Sequence, residues 1–397
     1  MVKQRPLLKL GVITAVLSAC VLWAAWHFGA TRAQSGACTN SVYLEETLPT
    51  GARWDLCWAV RDQEGVVLSE IYYTTPDGLR RKVMQEASLA QVEVVYDDGA
   101  ANFYYASEPG LGSAQLLTLS VDDCPNGALL VLADRPLLCQ QSAPRGYLYK
   151  YYSQQRQGDA MTLYSASQIG QRLYIVQWRF ADDGTIEPQV GEAGRLLRTG
   201  RDPRYGWPLA GAGPVGIGYT TNYWWRLNFD IGGNGPNDLV EEFEVNPDGT
   251  NTQRITTVTP LTTETSRATD PDKKRSWRVR DTALTNGDGH AISYHLDPTQ
   301  AGYFASGPAT QPWSQHDLYV TVANKCERLA IHNPTSGGCA DNVAGFVNGE
   351  SAASAAIVLW YRVTAHRLPR AEDLPVLDVT WQGFQLTPRD WSAQNPF

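Results

Sequence analysis

Short runs rich in Val, Ile, Tyr, Thr and Trp alternate with clusters of Gly, Asp, Asn and Pro along most of the chain. Runs of this length and composition suit half-buried strands, because branched and aromatic side chains pack well on a pleated surface. Residues 66–75, 92–96, 173–180 and 357–364 show the pattern best. Asp-Gly pairs at 77–78, 98–99, 183–184, 248–249 and 288–289 predict tight turns, since glycine reaches positive φ without a Cβ clash. Helical signals are scarce. The pattern predicts an all-β fold, a large β-sandwich. No internal repeat or low-complexity linker divides it, so residues 34–397 read as one domain.

The first 33 residues break that pattern. Residues 10–30 carry no Asp, Glu, Lys or Arg, and Lys3, Arg5 and Lys9 precede them. A stretch of this length spans a hydrocarbon core of about 30 Å as a transmembrane helix. Basic flanks stay in the cytoplasm, which puts the rest on the extracytoplasmic side. Two other readings fit the same residues. Cleavage after Ala33 makes them a secretory signal, and Leu17-Ser18-Ala19-Cys20 resembles a lipoprotein signal with Cys20 lipidated. All three export the domain. The other six cysteines agree, because they fall in sequence-near pairs: Cys38 with Cys57, Cys124 with Cys139, and Cys326 with Cys339. An oxidising compartment would bond them. Buried thiols or a zinc site are the alternative, but no CxxC spacing supports it.

The net charge of −8 argues against nucleic acid as a partner, because phosphate binding needs clustered Lys and Arg. The one short basic run, Lys273 to Arg275 with Arg278 and Arg280, reads as a solvated loop. Glu241, Glu242 and Glu244 read as a solvated strand edge. His290 and His295, near Asp288 and Asp297, are five residues apart and so point to opposite faces of a strand, which is a poor metal site. His316 and His332 have no evident partner. Tyr147, Tyr149, Tyr151 and Tyr152 and the run Tyr223-Trp224-Trp225 read as sandwich core, with an interaction surface as the alternative.

Longer stretches carry a resemblance. WDLCWAVRDQEGVVLSEIYY (54–73), RKVMQEASLAQVEVVYDD (81–98), Glu108-Pro109-Gly110-Leu111-Gly112, WRFADDGTIE (178–187), RLNFDIGGNGPNDLVE (226–241), Trp277-Arg278-Val279 with Asn286, Gly289 and residues 294–298, and the whole of 357–397 are similar to blocks of copper-dependent amine oxidases, in the same order. The resemblance is to that family's C-terminal catalytic domain. It implies that domain's β-sandwich, a Cys124–Cys139 disulfide, and self-association as a homodimer. The family's smaller N-terminal domains have no counterpart here.

The family's chemistry needs a tyrosine converted to topaquinone, three copper-binding histidines and an aspartate base. Counting from the matched blocks, Gln171 and Arg172 stand at the Asn-Tyr pair that makes the cofactor, and Tyr174 is its neighbour. Tyr219 and Thr221 stand at two copper histidines and Arg367 at the third, with His366 one residue early. Tyr105, beside Tyr104, stands at the base. A second, structural metal site reads Asn228-Phe229-Asp230, with Ala356 at its partner position. The resemblance with these departures implies an inactive relative without cofactor or metal. It would be a membrane-anchored structural or binding subunit with protein partners, as a homodimer or in a heteromeric membrane complex. The alternative is an enzyme with a repurposed or residual site. Arg172 and Arg367 together raise one further expectation, since two buried guanidiniums need acceptors or an anion pocket.

Overall fold

The computed structural model describes residues 38–397 apart from 100–103, 107, 212, 250–251 and 299–305. Two large antiparallel sheets face each other. The first runs β1 (Val42–Thr47), β2 (Arg53–Arg61), β3 (Gly65–Thr74), β4 (Arg80–Tyr96), β14 (Tyr219–Phe229), β21 (Ile357–Arg367), β20 (Leu318–Val322) and β17 (Thr265–Arg267), with β5 (Tyr104–Tyr105) on β4. The second runs β16 (Arg254–Leu261), β15 (Asp238–Pro247), β18 (Ser276–Thr285), β19 (Ala291–Asp297), β23 (Gln385–Arg389), β10 (Ile186–Gly194), β9 (Arg172–Ala181), β8 (Gln154–Ile169), β7 (Arg135–Tyr151) and β6 (Ala128–Leu132), with β22 (Leu377–Gly383) also on β10. A small third sheet holds β11 (Thr199–Gly200), β13 (Val215–Ile217) and β12 (Gly206–Pro208).

Alternation drives the packing. Along β9 every second residue from Arg172 to Phe180 is buried, and β14 turns Tyr223, Trp225, Leu227 and Phe229 into the same core. Trp178 of β9 meets Trp225 of β14 edge-on, with ring centroids 5.0 Å apart. A fully buried indole removes about 150–250 Å² from water, roughly 4–6 kcal/mol of transfer free energy at about 25 cal/mol per Å². Trp54, Trp58 and Trp277 are fully buried too. All five glycines of the Asp-Gly turns have positive φ.

The other face of the first sheet is also covered. A loop carrying the short helix α1 (Val343–Phe346) packs on Trp224, Tyr319, Val358 and Trp360. Cys326–Cys339 clamps this cover, and Cys38–Cys57 and Cys124–Cys139 are bonded as well, with Cα atoms 5.6–5.9 Å apart.

Three expectations need correction. Glu241, Glu242 and Glu244 are not a solvated edge, because β15 has a strand on each side. Glu241 pairs with Arg278 and Arg280, Glu242 accepts from the Trp277 indole, and Glu244 pairs with Arg275. The same contacts remove Arg275, Arg278 and Arg280 from any free basic loop. The third correction concerns the aromatics: Tyr223, Trp224 and Trp225 are core, but Tyr147, Tyr151 and Tyr152 are 60%, 67% and 82% exposed. They lie on the long β7–β8 hairpin, towards and at its turn. The expected membrane span at residues 10–30 and Cys20 lie outside the described residues. Among those described, no helix is long and apolar enough to cross a membrane.

Candidate functional site

One end of the sandwich gathers polar residues where hydrocarbon would be expected. Arg172 opens β9 and points between the sheets, 1% exposed. Its Nη1 donates to Glu192 Oε1 on β10 and, at 2.7 Å, to the Tyr219 hydroxyl on β14. The Arg172 guanidinium carbon lies 4.3 Å from the centre of the Tyr219 ring. The other Glu192 oxygen accepts from Thr221 Oγ1 at 2.9 Å and from the Tyr223 hydroxyl at 2.6 Å. Three side chains from two strands of facing sheets thus converge on one carboxylate, and Tyr219 joins them through Arg172. Strand alternation explains the set, since Tyr219, Thr221 and Tyr223 share the inward face of β14.

Burial alone would lower the Arg172 pKa, but Glu192 outweighs it and the net shift is upward. Burial raises Tyr219 and Tyr223 above the usual phenol value, and Glu192 adds to both. The guanidinium therefore stays charged and the phenols stay protonated. Arg172 Nε and Nη2 are buried without a hydrogen-bond partner, so the cluster holds its charge at an energetic cost.

Arg367 lies directly across from Tyr219 in the β14–β21 register. On that same inward face it reaches Asp373, at 2.5 Å, and Thr380 Oγ1 on β22 of the second sheet, at 2.7 Å. A cavity of about 310 Å³ opens between these groups, lined by Glu192, Tyr219, Thr221, Tyr223, Arg367 and Gln382 among others. Arg172 and Arg367 are each paired with a carboxylate, Glu192 and Asp373, so the acceptors expected for two guanidiniums are supplied within the chain. His366 pairs with Thr220 in register, one residue out of phase with Arg367, and so faces the other way. Its Nε2 lies 2.9 Å from Asp97 Oδ2.

Tyr105 does not join the cluster. It packs on the opposite face of the first sheet, among Ala90, Trp224 and Ile331, with the His332 ring 4.2 Å away. Burial pushes its phenol above the usual value, with Glu93 and Glu108 adding to the shift. His332 is not partnerless, because its Nδ1 lies 2.8 Å from Glu108 Oε1. His295 is half-buried 3.6 Å from Asp297, while His290 is exposed in a turn. Glu192, Asp373 and Thr380 were missed by sequence reasoning, and Tyr223 was read only as core. One signal was available for Glu192: it occupies an inward position of β10, in phase with Ile186 and Val190. A carboxylate at such a position requires a cation opposite.

The description "Copper amine oxidase, enzyme domain" matches residues 146–397. The chain belongs to the copper amine oxidase family. It is 24% identical over 388 residues to a primary amine oxidase of Arthrobacter sp. (strain P1), covering 87% of this chain and 59% of that one. Against the histamine oxidase of Arthrobacter globiformis the identity is 25% over 395 residues, with 90% and 57% covered. The fold matches a copper-containing benzylamine oxidase from Hansenula polymorpha with a TM-score of 0.74 at 17% identity, covering 88% of this chain and 62% of that one. The chain thus spans roughly three-fifths of the length of these relatives.

Membership in this family implies copper and a quinone, so the donor set matters. Imidazole, thiolate and carboxylate hold copper, whereas arginine offers only donors. Around Glu192 the candidates are two arginines, two phenols and a threonine; Glu192 already accepts three hydrogen bonds, Asp373 is paired with Arg367, and His366, at the cavity's edge, is engaged by Asp97. Among the described residues no three of His, Cys, Asp and Glu lie together so as to hold a metal ion. The residues at this site do not fit copper.

Proposed function

We propose that this chain is a non-catalytic member of the copper amine oxidase family that serves as a structural or binding subunit. The observation that carries the proposal is the Arg172–Glu192 pair with its ring of hydroxyls. By the count from the matched blocks, Arg172 holds the quinone-forming position and Tyr219, Thr221 and Arg367 hold the three copper positions. Of these, Arg172 and Thr221 donate to Glu192 and Tyr219 accepts from Arg172, which supports reading them as one site. A guanidinium cannot become a quinone, and it places a fixed positive charge where a copper ion would need neutral or anionic donors.

The membrane part of the proposal rests on residues 10–30, which would hold the domain on the extracytoplasmic side. Three disulfides suit an oxidising compartment. Partners would be protein, either a second copy or other membrane subunits.

The test is direct. The purified chain, loaded with copper under air, should give no quinone stain, hold no stoichiometric copper by mass spectrometry and consume no oxygen with methylamine, benzylamine or histamine. A positive stain with stoichiometric copper overturns the proposal.

A further inference from the structure

A second charged group is buried away from the Glu192 cluster. Lys82 of β4 is 5% exposed, and its Nζ is held by three oxygens: Asp230 Oδ2 at 2.9 Å, Glu70 Oε2 at 2.9 Å and Gln85 Oε1 at 2.6 Å. These come from three pieces of chain. Asp230 precedes the 3-10 turn Ile231–Gly233, Gln85 belongs to β4, and Glu70 lies in the irregularity of the β2–β3 pairing with φ of 50°. Gln85 Nε2 in turn donates to Glu70 Oε1 at 2.6 Å, which fixes that carboxylate. Gly233 has φ of 74°, and a Cβ there would lie 3.1 Å from Lys82 Cβ, so the turn closes tightly over the lysine stem. Burial would drive the ammonium towards neutrality, but Glu70 and Asp230 reverse the shift and keep it charged.

An ammonium among two carboxylates and an amide oxygen does what a bound cation does: it gathers oxygens from separate segments and fixes a turn. Asn228 and Asp230 are the residues that stand at the family's second metal position, with Ala356 supplying no side-chain oxygen. Asn228 Oδ1 and Asp230 Oδ1 are both buried without a partner. A divalent ion here would sit beside a fixed positive charge that already occupies Asp230. The residues do not fit a metal.

We propose that Lys82 is this protein's built-in cation at Asp230, where β14 runs into the Ile231–Gly233 turn, and that the turn is held by the side chain in place of a metal ion. This holds whether or not the chain oxidises amines.

The experiment uses the full chain, with calcium chloride and EDTA as probes and thermal melting as readout. The wild type should hold no stoichiometric calcium after dialysis. Its melting temperature should move by less than about 1 °C with either probe, because a ligand without a site does not stabilise the folded state. Lys82→Gln frees Asp230 and Glu70, so it should melt lower and should regain roughly 2–4 °C with millimolar calcium. Adding Asp230→Asn should abolish that gain. Calcium bound to the wild type, or a wild-type melting temperature that falls with EDTA, overturns the proposal. So does a Lys82→Gln protein that melts like the wild type. If Lys82→Gln fails to fold, the wild-type metal content and EDTA response still decide.

Discussion

The two faces of β14 handle polar groups in opposite ways. On the inward face, Thr221 and Tyr223 donate to one carboxylate from the facing sheet, Arg172 neutralises it, and the Tyr219 hydroxyl accepts from Arg172. On the outward face, partners are spread along the strand. Asn222 Nδ2 donates to Glu93 at 2.9 Å and its Oδ1 accepts from Thr364 at 2.8 Å. Arg226 reaches Glu86 at 2.7 Å and the Glu327 carbonyl at 2.9 Å. A focused arrangement has one point of failure, whereas a distributed one loses stability in small steps. The inward face therefore gathers its polar groups at one point, and the outward face shares them along the strand.

The largest effect should come from Arg172→Leu. It leaves Glu192 charged and buried, which typically costs about 3–5 kcal/mol in urea unfolding. Combining it with Glu192→Gln should recover most of the loss, because the pair as a whole contributes little net stability. Additive losses in that double-mutant cycle would break the contrast drawn between the faces.

Next is the cover of the outward face. Replacing Cys326 and Cys339 by serine opens a loop with a sequence separation of 13. The expected loss is about 3 kcal/mol in denaturant unfolding. Hydrogen exchange should rise at 326–347 and leave β9 and β10 protected. A rise in β9 would show that the two faces are coupled.

A smaller step, about 1–2 kcal/mol, is expected for Thr364→Val, which removes one neutral donor and leaves Asn222 Oδ1 unpaired. Thermal melting at fixed pH measures it, and a loss as large as that of Arg172→Leu would contradict the distributed reading.

The smallest effect is a slope with pH. Burial, with Glu264 adding, pushes the Glu327 carboxyl up to about 7 although Arg226 opposes it. The folded state then binds a proton that the unfolded chain releases near the usual glutamate value of about 4.3. This stabilisation is complete below that value and is lost as pH rises towards about 7. Discounted for solvent screening, the slope should be under about 1 kcal/mol per pH unit. Glu327→Gln should flatten it between pH 5 and 7, and an unchanged slope would assign it elsewhere.

Much of the scaffold was legible in the sequence because it depends on local periodicity. Residues 66–75, 173–180 and 357–364 emerge as β3, β9 and β21 within a few residues. The family motifs then placed Arg172, Tyr219 and Thr221 near one another. Glu192 was not found because its role depends on which strand faces it, and nothing within β10 encodes that. Glu241, Glu242 and Glu244 were misread for a related reason: acidic and basic strands look solvated one at a time and neutralise each other when paired. Tyr147, Tyr151 and Tyr152 failed differently. A strand's alternation says which residues share a face, but not whether that face is covered.

The strand order has a consequence for how the chain is made. In the first sheet β21 lies between β14 and β20, and in the second β23 joins β19 to β10. Until residues 357–389 have left the ribosome, each sheet exists only as two fragments with open edges. Pairings such as Tyr96 with Tyr219 and Ile186 with Leu386 close long loops, so assembly is slow even when the whole chain is available. The nascent domain must therefore wait with unpaired strands exposed, which is the condition under which β proteins aggregate. Yield in a cell will depend on what holds the unfinished chain as much as on the stability of the finished one.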